Sequence, residues 1–273
     1  MDNKVIREKQ DLTYLKWDHI RSSSGTAGTF LKAQSVISGV KTYYKLSNYD
    51  IEKGIVGHEC VNEIIVDRLL DVLGIEHLSY QLIHADIEVD GKSYETWLCA
   101  SKDFKRTGES KSALDNFYQI NRKADESRYD FCVRKGWKKY IETMLAVDYL
   151  IMNRDRHGAN VEVLRNAKEQ TIRVAPLFDH GLSFLCSCYT EREIDAFDIM
   201  QDRPCQNFIG SRSTHDNLSL IADKSAVFSK SLTVENKDVL FADLTGILSA
   251  KHLNKIWDML WNRWCEYEKL CNL

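Results

Sequence analysis

Asn153-Arg154-Asp155-Arg156-His157-Gly158-Ala159-Asn160, followed by Pro176-Leu177-Phe178-Asp179-His180-Gly181, decides how this chain is read. Phosphoryl transfer asks for few groups: backbone amides over the phosphates, a lysine to hold them, a carboxylate for the acceptor hydroxyl and oxygen ligands for metal ions. In protein-kinase catalytic loops the base Asp precedes a metal-binding Asn by five positions. Asp155 and Asn160 have that separation. Nineteen residues after Asn160, Asp179-His180-Gly181 differs by one residue from the Asp-Phe-Gly that supplies a second metal ligand. A carboxylate on a turn after a strand, paired with an amide oxygen, suits Mg²⁺.

The upstream groups fall in kinase order. Lys45 lies near the end of the β-branched and aromatic run Val40–Leu46, 17 residues after Gly28. Glu63 follows 18 residues later, inside His58–Leu73. There Val61, Ile64, Ile65, Leu69, Val72 and Leu73 recur at helical spacing, and Gly74 follows as a stop. A strand lysine paired with a helix glutamate keeps an ammonium aimed at nucleotide phosphates. Arg21–Thr29 is small, polar and glycine-bearing, and the flanking Leu15–Ile20 and Phe30–Val36 read as the strands of a hairpin. Its tip would cover the phosphates, with Ser23, Ser24, Gly25, Thr26 and Gly28 as nucleotide contacts. Its Gly-x-x-Gly departs from the G-x-G-x-x-G pattern. Each residue alone has an ordinary reading: turn residues for Asp155, Asn160 and Asp179, an exposed strand lysine, a solvated helix glutamate. Their joint order, spacing and element type favour phosphoryl transfer.

Leu78–Val89 and Tyr94–Ala100 read as two strands around an Asp90-Gly91 turn. The first hundred residues are therefore mostly sheet with one helix. The character changes at Ser101–Lys139, which is polar and holds 11 Lys/Arg against 6 Asp/Glu. Trp97–Asp103 joins the last predicted strand to this segment and reads as a connector whose backbone would meet an adenine edge. Trp137–Met152 predicts a helix, Val161–Leu164 and Ile172–Leu177 a short hairpin, and Ala250–Leu270 a long helix whose aromatic stripe is core. The expected fold class is α+β: a two-lobed, protein-kinase-like fold with a β-rich N-lobe over 1–101, a mainly helical C-lobe over 102–273, and the active site in the cleft.

Composition agrees with an enzyme of this kind. The 273 residues are 44% apolar and 28% charged, as in ordinary globular chains. A formal charge of −3 disfavours a dedicated nucleic-acid binder. No run approaches the ~18 uninterrupted apolar residues of a membrane span. Met1–Gln10 lacks the apolar region of a signal peptide. Eight cysteines are scattered without a Cys-x-x-Cys pair, which argues against structural zinc and for reduced thiols in a cytoplasmic protein.

Asp155-Arg-His157-x-x-Asn160 with Asp179-His-Gly181 resembles the catalytic and metal-binding segments of the phosphatidylinositol 3-/4-kinase-like family. The resemblance is strongest to its bacterial HipA-like serine/threonine kinases, including the compact CtkA type. Glu63-Ile-Ile-Val with Leu73-Gly74-Ile75 is similar to the helix of these kinases that ends in Leu-Gly-Leu, and Tyr44-Lys45-Leu46 to their nucleotide-lysine strand. The match spans residues 21–181, about three fifths of the chain. Ala159 stands where these loops usually carry Lys. The resemblance implies ATP and Mg²⁺ as cofactors, Asp155 as the catalytic aspartate, Asn160 and Asp179 as Mg²⁺ ligands, and Lys45 on the nucleotide phosphates. It implies that His157 supports the catalytic loop. His180 reads as packing where the Phe of Asp-Phe-Gly does, with contact to the metal site as the alternative. The resemblance further implies a protein acceptor bearing Ser or Thr, and self-phosphorylation at Ser22, Ser23 or Ser24. The best-known members pair with a DNA-binding antitoxin. Asp-Arg-His-x-x-Asn also fits phosphoinositide kinases, so a lipid head-group or small-molecule kinase is the second reading. A nucleotide-binding pseudokinase acting as an interaction module is the third, and the presence of all five motif residues argues against it.

Overall fold

The computed structural model describes residues 4–18, 30–37 and 39–272; the tip of the expected glycine-rich loop, including Ser22, Ser23, Ser24, Gly25, Thr26 and Gly28, lies outside the described residues. The chain order begins β1 (Val5–Asp11), β2 (Lys32–Ile37), β3 (Val40–Leu46), β4 (Tyr49–Asp50), β5 (Gly54–Ile55), α1 (Glu59–Leu73), β6 (Tyr80–Val89) and β7 (Lys92–Lys102). It continues with β8 (Glu109–Ala113), α2 (Leu114–Asn121), α3 (Arg128–Arg134), α4 (Lys138–Ile151), β9 (Asp155–Arg156), β10 (Glu162–Asn166) and β11 (Thr171–Val174). The last elements are α5 (Glu191–Ala196), β12 (Gln206–Asn207), α6 (Asn236–Phe241) and α7 (Ala250–Cys271).

A five-stranded sheet in the order β1-β6-β7-β3-β2 dominates the first lobe. β6 and β7 pair along their whole length across the Asp90-Gly91 turn, where both residues adopt positive φ (53° and 75°). The two faces of the sheet serve two cores. Tyr44 and Leu46 of β3 join Leu31, Ala33, Ile83 and Leu98 on one side. Period-two alternation therefore turns Lys45 to the other side, where Leu82 and Cys99 pack with α1. α1 buries Ile64, Ile65, Leu69, Leu70 and Leu73 and closes at Gly74 (φ 69°), where Ile75 N–H returns to the Leu70 carbonyl at 2.9 Å. The second lobe is mainly helical, with α7 packed along α4 and burying Ile256, Leu260 and Trp264.

The structure corrects two sequence expectations and adds elements in two segments for which none was expected. The strand expected at Leu15–Ile20 reduces, over its described part, to a single bridge from Asp18 to Lys32. The Asp11 carboxylate accepts both the N–H (3.0 Å) and the hydroxyl (2.6 Å) of Thr13, which turns the chain, and Leu12 and Leu15 drop into the core without alternation. The partner strand at the other sheet edge is β1, parallel to β6, in a segment with no expected structure. Ser101–Lys139, polar and basic as read from sequence, contains β8, α2 and α3. Trp97–Lys102 is strand rather than connector, because β7 remains paired with β3 as far as Thr42–Lys102, so the crossing between lobes starts at Asp103.

Candidate active site

Lys45, Glu63 and Asp179 converge, although 18 and 134 positions separate the two carboxylates from the lysine. The Lys45 ammonium donates to Glu63 Oε1 at 3.0 Å and to Asp179 Oδ1. Glu63 is fully buried, and its second oxygen accepts the backbone N–H of His180 at 2.8 Å. Burial pulls the Lys45 ammonium down, but the charges of Asp179 and Glu63 outweigh it and hold the group well above its ordinary value. For Glu63 burial wins and its carboxyl is raised. Burial would also raise Asp179, yet Lys45 first and Lys32 second hold it well below the usual carboxylate range. Lys32 is placed for this by register: it lies directly opposite Lys45 on β2. Asp179 has φ 59°, a left-handed conformation that costs a non-glycine residue energy, and its N–H donates to the Tyr80 hydroxyl at 3.3 Å.

Asp155 and Asn160 are set by a second network with a buried ion pair at its centre. α4 ends at Met152 (φ 51°), and Asn153 begins the loop. Asp148, on the last turn of α4, accepts the Arg156 guanidinium through NH2 at 2.9 Å and through Nε at 3.0 and 3.2 Å. Arg156 and Asp148 are each 1% exposed. The same guanidinium donates through NH1 to the carbonyls of Asn160 (3.3 Å) and Phe178 (2.9 Å). One buried side chain thus ties the loop carrying Asn160 to the residue before Asp179. Asn153 braces the loop from its other end, donating to Asp148 Oδ1 at 2.9 Å and accepting Asp155 N–H at 3.1 Å. A parallel pairing of β9 with β12 completes the frame.

Within that frame Asn160 spends its amide N–H on the Asp155 carbonyl at 2.8 Å, and its amide oxygen has no hydrogen-bond partner among the described residues. With the Asp179 carboxylate this gives two hard oxygen donors, a set that fits Mg²⁺. The Asp155 side chain is 21% exposed. Burial raises its carboxyl; His157 opposes the shift and Asp179 adds to it. His157 Nδ1 accepts Ala159 N–H at 3.1 Å, and its Nε2 is 3.6 Å from Asp155 Oδ2. Gly158 is required by packing: a Cβ there would lie 2.5 Å from Asp115 Cβ. Gly181 is tight as well, with Glu59 Cβ 3.1 Å from a built Cβ. His180 is buried, and burial holds its imidazole well below its ordinary value.

Two solved structures share this arrangement of elements. The proinflammatory kinase CtkA of Helicobacter pylori matches with a TM-score of 0.62 at 16% identity, over 97% of this chain and 98% of CtkA. HipA of Shewanella oneidensis MR-1, solved with HipB and operator DNA, matches with a TM-score of 0.51 at 14% identity, over 91% of this chain and 67% of HipA. The chain has a kinase-like fold. No protein-family profile matches the sequence, and no curated protein does. In this kinase-like fold the sheet carries Lys45, α1 carries Glu63, and the loop and turn after α4 carry Asp155, Asn160 and Asp179.

Several residues that build the kinase-like cleft were not singled out from sequence. Asp148 was visible only as a member of the α4 stripe, and Arg156 only as a spacer. Asn62 donates to the carbonyls of Gly181 (2.9 Å) and Ser183 (3.0 Å), fastening α1 to the segment after Asp179. A polar residue inside an otherwise apolar helix face was the available signal for both Asp148 and Asn62. One further cluster of potential metal ligands occurs among the described residues, Asp67, Asp71 and His77, but the Lys4 ammonium pairs with both of its carboxylates. Among the described residues no helix is long and apolar enough to cross a membrane, and all eight cysteines are free.

Proposed function

We propose that this chain is an ATP- and Mg²⁺-dependent phosphotransferase acting as a HipA-like protein serine/threonine kinase. The observation that carries the reading is the convergence of Lys45 with Glu63 and Asp179 beside a loop that presents Asp155 and Asn160. A fold shared with two kinases supports it.

Each group then has a role. Glu63 keeps the Lys45 ammonium extended toward the ATP phosphates, and the loop around Ser23, Ser24, Gly25, Thr26 and Gly28 covers them with backbone N–H groups. Asn160 and Asp179 hold Mg²⁺, which when bound neutralises charge on the transferring phosphoryl group. Asp155 orients the acceptor hydroxyl and takes its proton as the acceptor oxygen bonds to the γ-phosphorus and the bond to the β-phosphate oxygen breaks, releasing ADP. A raised carboxyl suits that task, because a base nearer neutrality accepts a proton more readily. His157 steadies the turn that carries these groups. The boundary between the lobes is placed at residues 101–102, in the last residues of β7 and just before the crossing that starts at Asp103. The acceptor is a Ser or Thr hydroxyl on another protein, with Ser22, Ser23 or Ser24 as an intramolecular acceptor.

Incubation of the chain with γ-labelled ATP and Mg²⁺, against protein extract in one arm and lipid vesicles in another, tests the reading. Label should enter protein and be absent with Asp155→Asn. Label in lipid alone would move the assignment to a head-group kinase, and no ATP turnover in either arm would leave a pseudokinase.

A further inference from the structure

A cavity of about 180 Å³ opens in the second lobe between α4, α7 and the loop before β12. It is lined by Tyr149, Met200, Asp202, His215, Arg263 and Glu266. At about 30 Å³ per water, it has room for a molecule the size of a small amino acid. Arg263, only 1% exposed, is its notable group. The guanidinium donates through Nε to the Ile199 carbonyl (3.2 Å), through NH1 to the Tyr149 carbonyl (3.0 Å) and through NH2 to the Met152 thioether (3.4 Å), and it lies 5.1 Å from the centre of the Tyr149 ring. Three of its five N–H groups are thereby engaged, one of them with a weak sulfur acceptor. Among the described residues no carboxylate comes within 4.0 Å of it. This contrasts with Arg156, whose equally deep guanidinium meets Asp148. Burial accordingly pulls Arg263 below its ordinary value.

A buried guanidinium with spare donors on a cavity wall is the arrangement that recognises a carboxylate. Asp202 and Glu266 on the same wall set a second condition. Asp202 is held in place by the hydroxyls of Ser213 (2.6 Å) and Thr214 (2.7 Å). Two carboxylates beside one guanidinium repel a bare anion, so the occupant must bring a cation next to its carboxylate. We propose that this cavity is a binding site for a free α-amino acid, with its carboxylate on Arg263, its ammonium toward Glu266 and Asp202, and its side chain against Met200.

The site adjoins both strands of chain that feed the β9 loop. Tyr149 and Met152 lie where α4 runs into Asn153–Arg156. Asp202 lies just before β12, whose Gln206 and Asn207 pair with Asp155 and Arg156. An occupant would therefore stiffen residues 153–156 and 205–207 together.

Isothermal titration calorimetry of the full chain against the common L-amino acids tests the site, with acetate, methylammonium and inorganic phosphate as partial mimics. At least one amino acid should bind with Kd below about 1 mM, and about tenfold more tightly than any mimic. Glu266→Gln, at a half-buried position, should weaken that binding about fivefold with Tm unchanged. Arg263→Gln should abolish it; if that variant does not fold, Glu266→Gln carries the test. Hydrogen exchange at 153–156 and 205–207 should slow on binding. Phosphate or acetate binding as tightly as every amino acid, no binding by any of them at about 10 mM, or full affinity in Glu266→Gln overturns the proposal. None of these readouts requires phosphoryl transfer.

Discussion

Glu63 accepts the backbone N–H of His180 at 2.8 Å across 117 positions, while its other carboxylate oxygen takes the Lys45 ammonium at 3.0 Å. A single buried carboxylate thus fixes the lysine of the sheet and the turn behind Asp179 at once. The position of α1 therefore sets both sides of the cleft.

Glu63→Gln removes the charge and retains the shape. A glutamine can accept one of the two donors, but its amide N–H₂ then opposes the other. The variant should lose about 10- to 100-fold in phosphoryl transfer, the equivalent of one charged hydrogen bond of about 1.5–3 kcal/mol. Its circular dichroism should match wild type. ADP release under saturating Mg²⁺-ATP measures this, and unchanged turnover would separate Glu63 from the site.

Asp148→Asn should act on stability before chemistry. It leaves the Arg156 guanidinium buried without its counter-charge, and breaking one side of such a pair costs about 3–5 kcal/mol. Urea unfolding should show a lower midpoint with an unchanged slope. A loss below about 1 kcal/mol would mean that the dipoles of Asn160 and Phe178 suffice to hold the guanidinium.

The contrast between Glu63 and Asp148 shows what was legible in the sequence. Lys45, Glu63, Asp155, Asn160 and Asp179 could be chosen because phosphoryl transfer prescribes their order, and because α1 announces itself through apolar spacing and Gly74. Asp148 and Arg156 do no prescribed chemistry; they hold the loop through a contact that forms only once α4 has folded. β1 escaped because its pattern is that of an exposed edge, with Val5 its one fully buried residue. α2 and α3, of 8 and 7 residues, are too short to establish a period in a charged background. The turn at Asp11–Thr13 overrode the strand propensity around Leu15.

Two histidine sites give stability opposite dependences on pH. His77 donates toward the Ile75 carbonyl (2.7 Å) and Asp67 (3.1 Å), an arrangement only the imidazolium satisfies in full. Burial lowers its affinity for a proton, but Asp67 and the Ile75 carbonyl outweigh burial and raise it. Its contribution is fully present below the ordinary value of 6.5 and is lost as pH rises through the raised one. The Tm gap between wild type and His77→Gln should therefore be full below the ordinary value of 6.5 and shrink as pH rises above it. A constant gap would show that His77 does not carry charge.

His58 behaves in the opposite sense. It packs 4.3 Å from His252, ring centre to ring centre, and burial first and His252 second push it down to about 3. The folded chain holds it neutral, so stability present above 6.5 is lost as pH falls toward 3. Replacing it with Phe should flatten the fall of Tm below about pH 6. An unchanged acid limb would place the acid sensitivity elsewhere.

The most direct measurement is release of ADP and transfer of the γ-phosphate from Mg²⁺-ATP by the wild-type chain beside Asp155→Asn, with folding checked by thermal unfolding. The proposed chemistry predicts turnover in the wild type and a loss of about 10²- to 10⁴-fold in the variant, with Tm close to wild type. Equal turnover by a well-folded Asp155→Asn chain, or none by either, would contradict the assignment of this cleft to phosphoryl transfer.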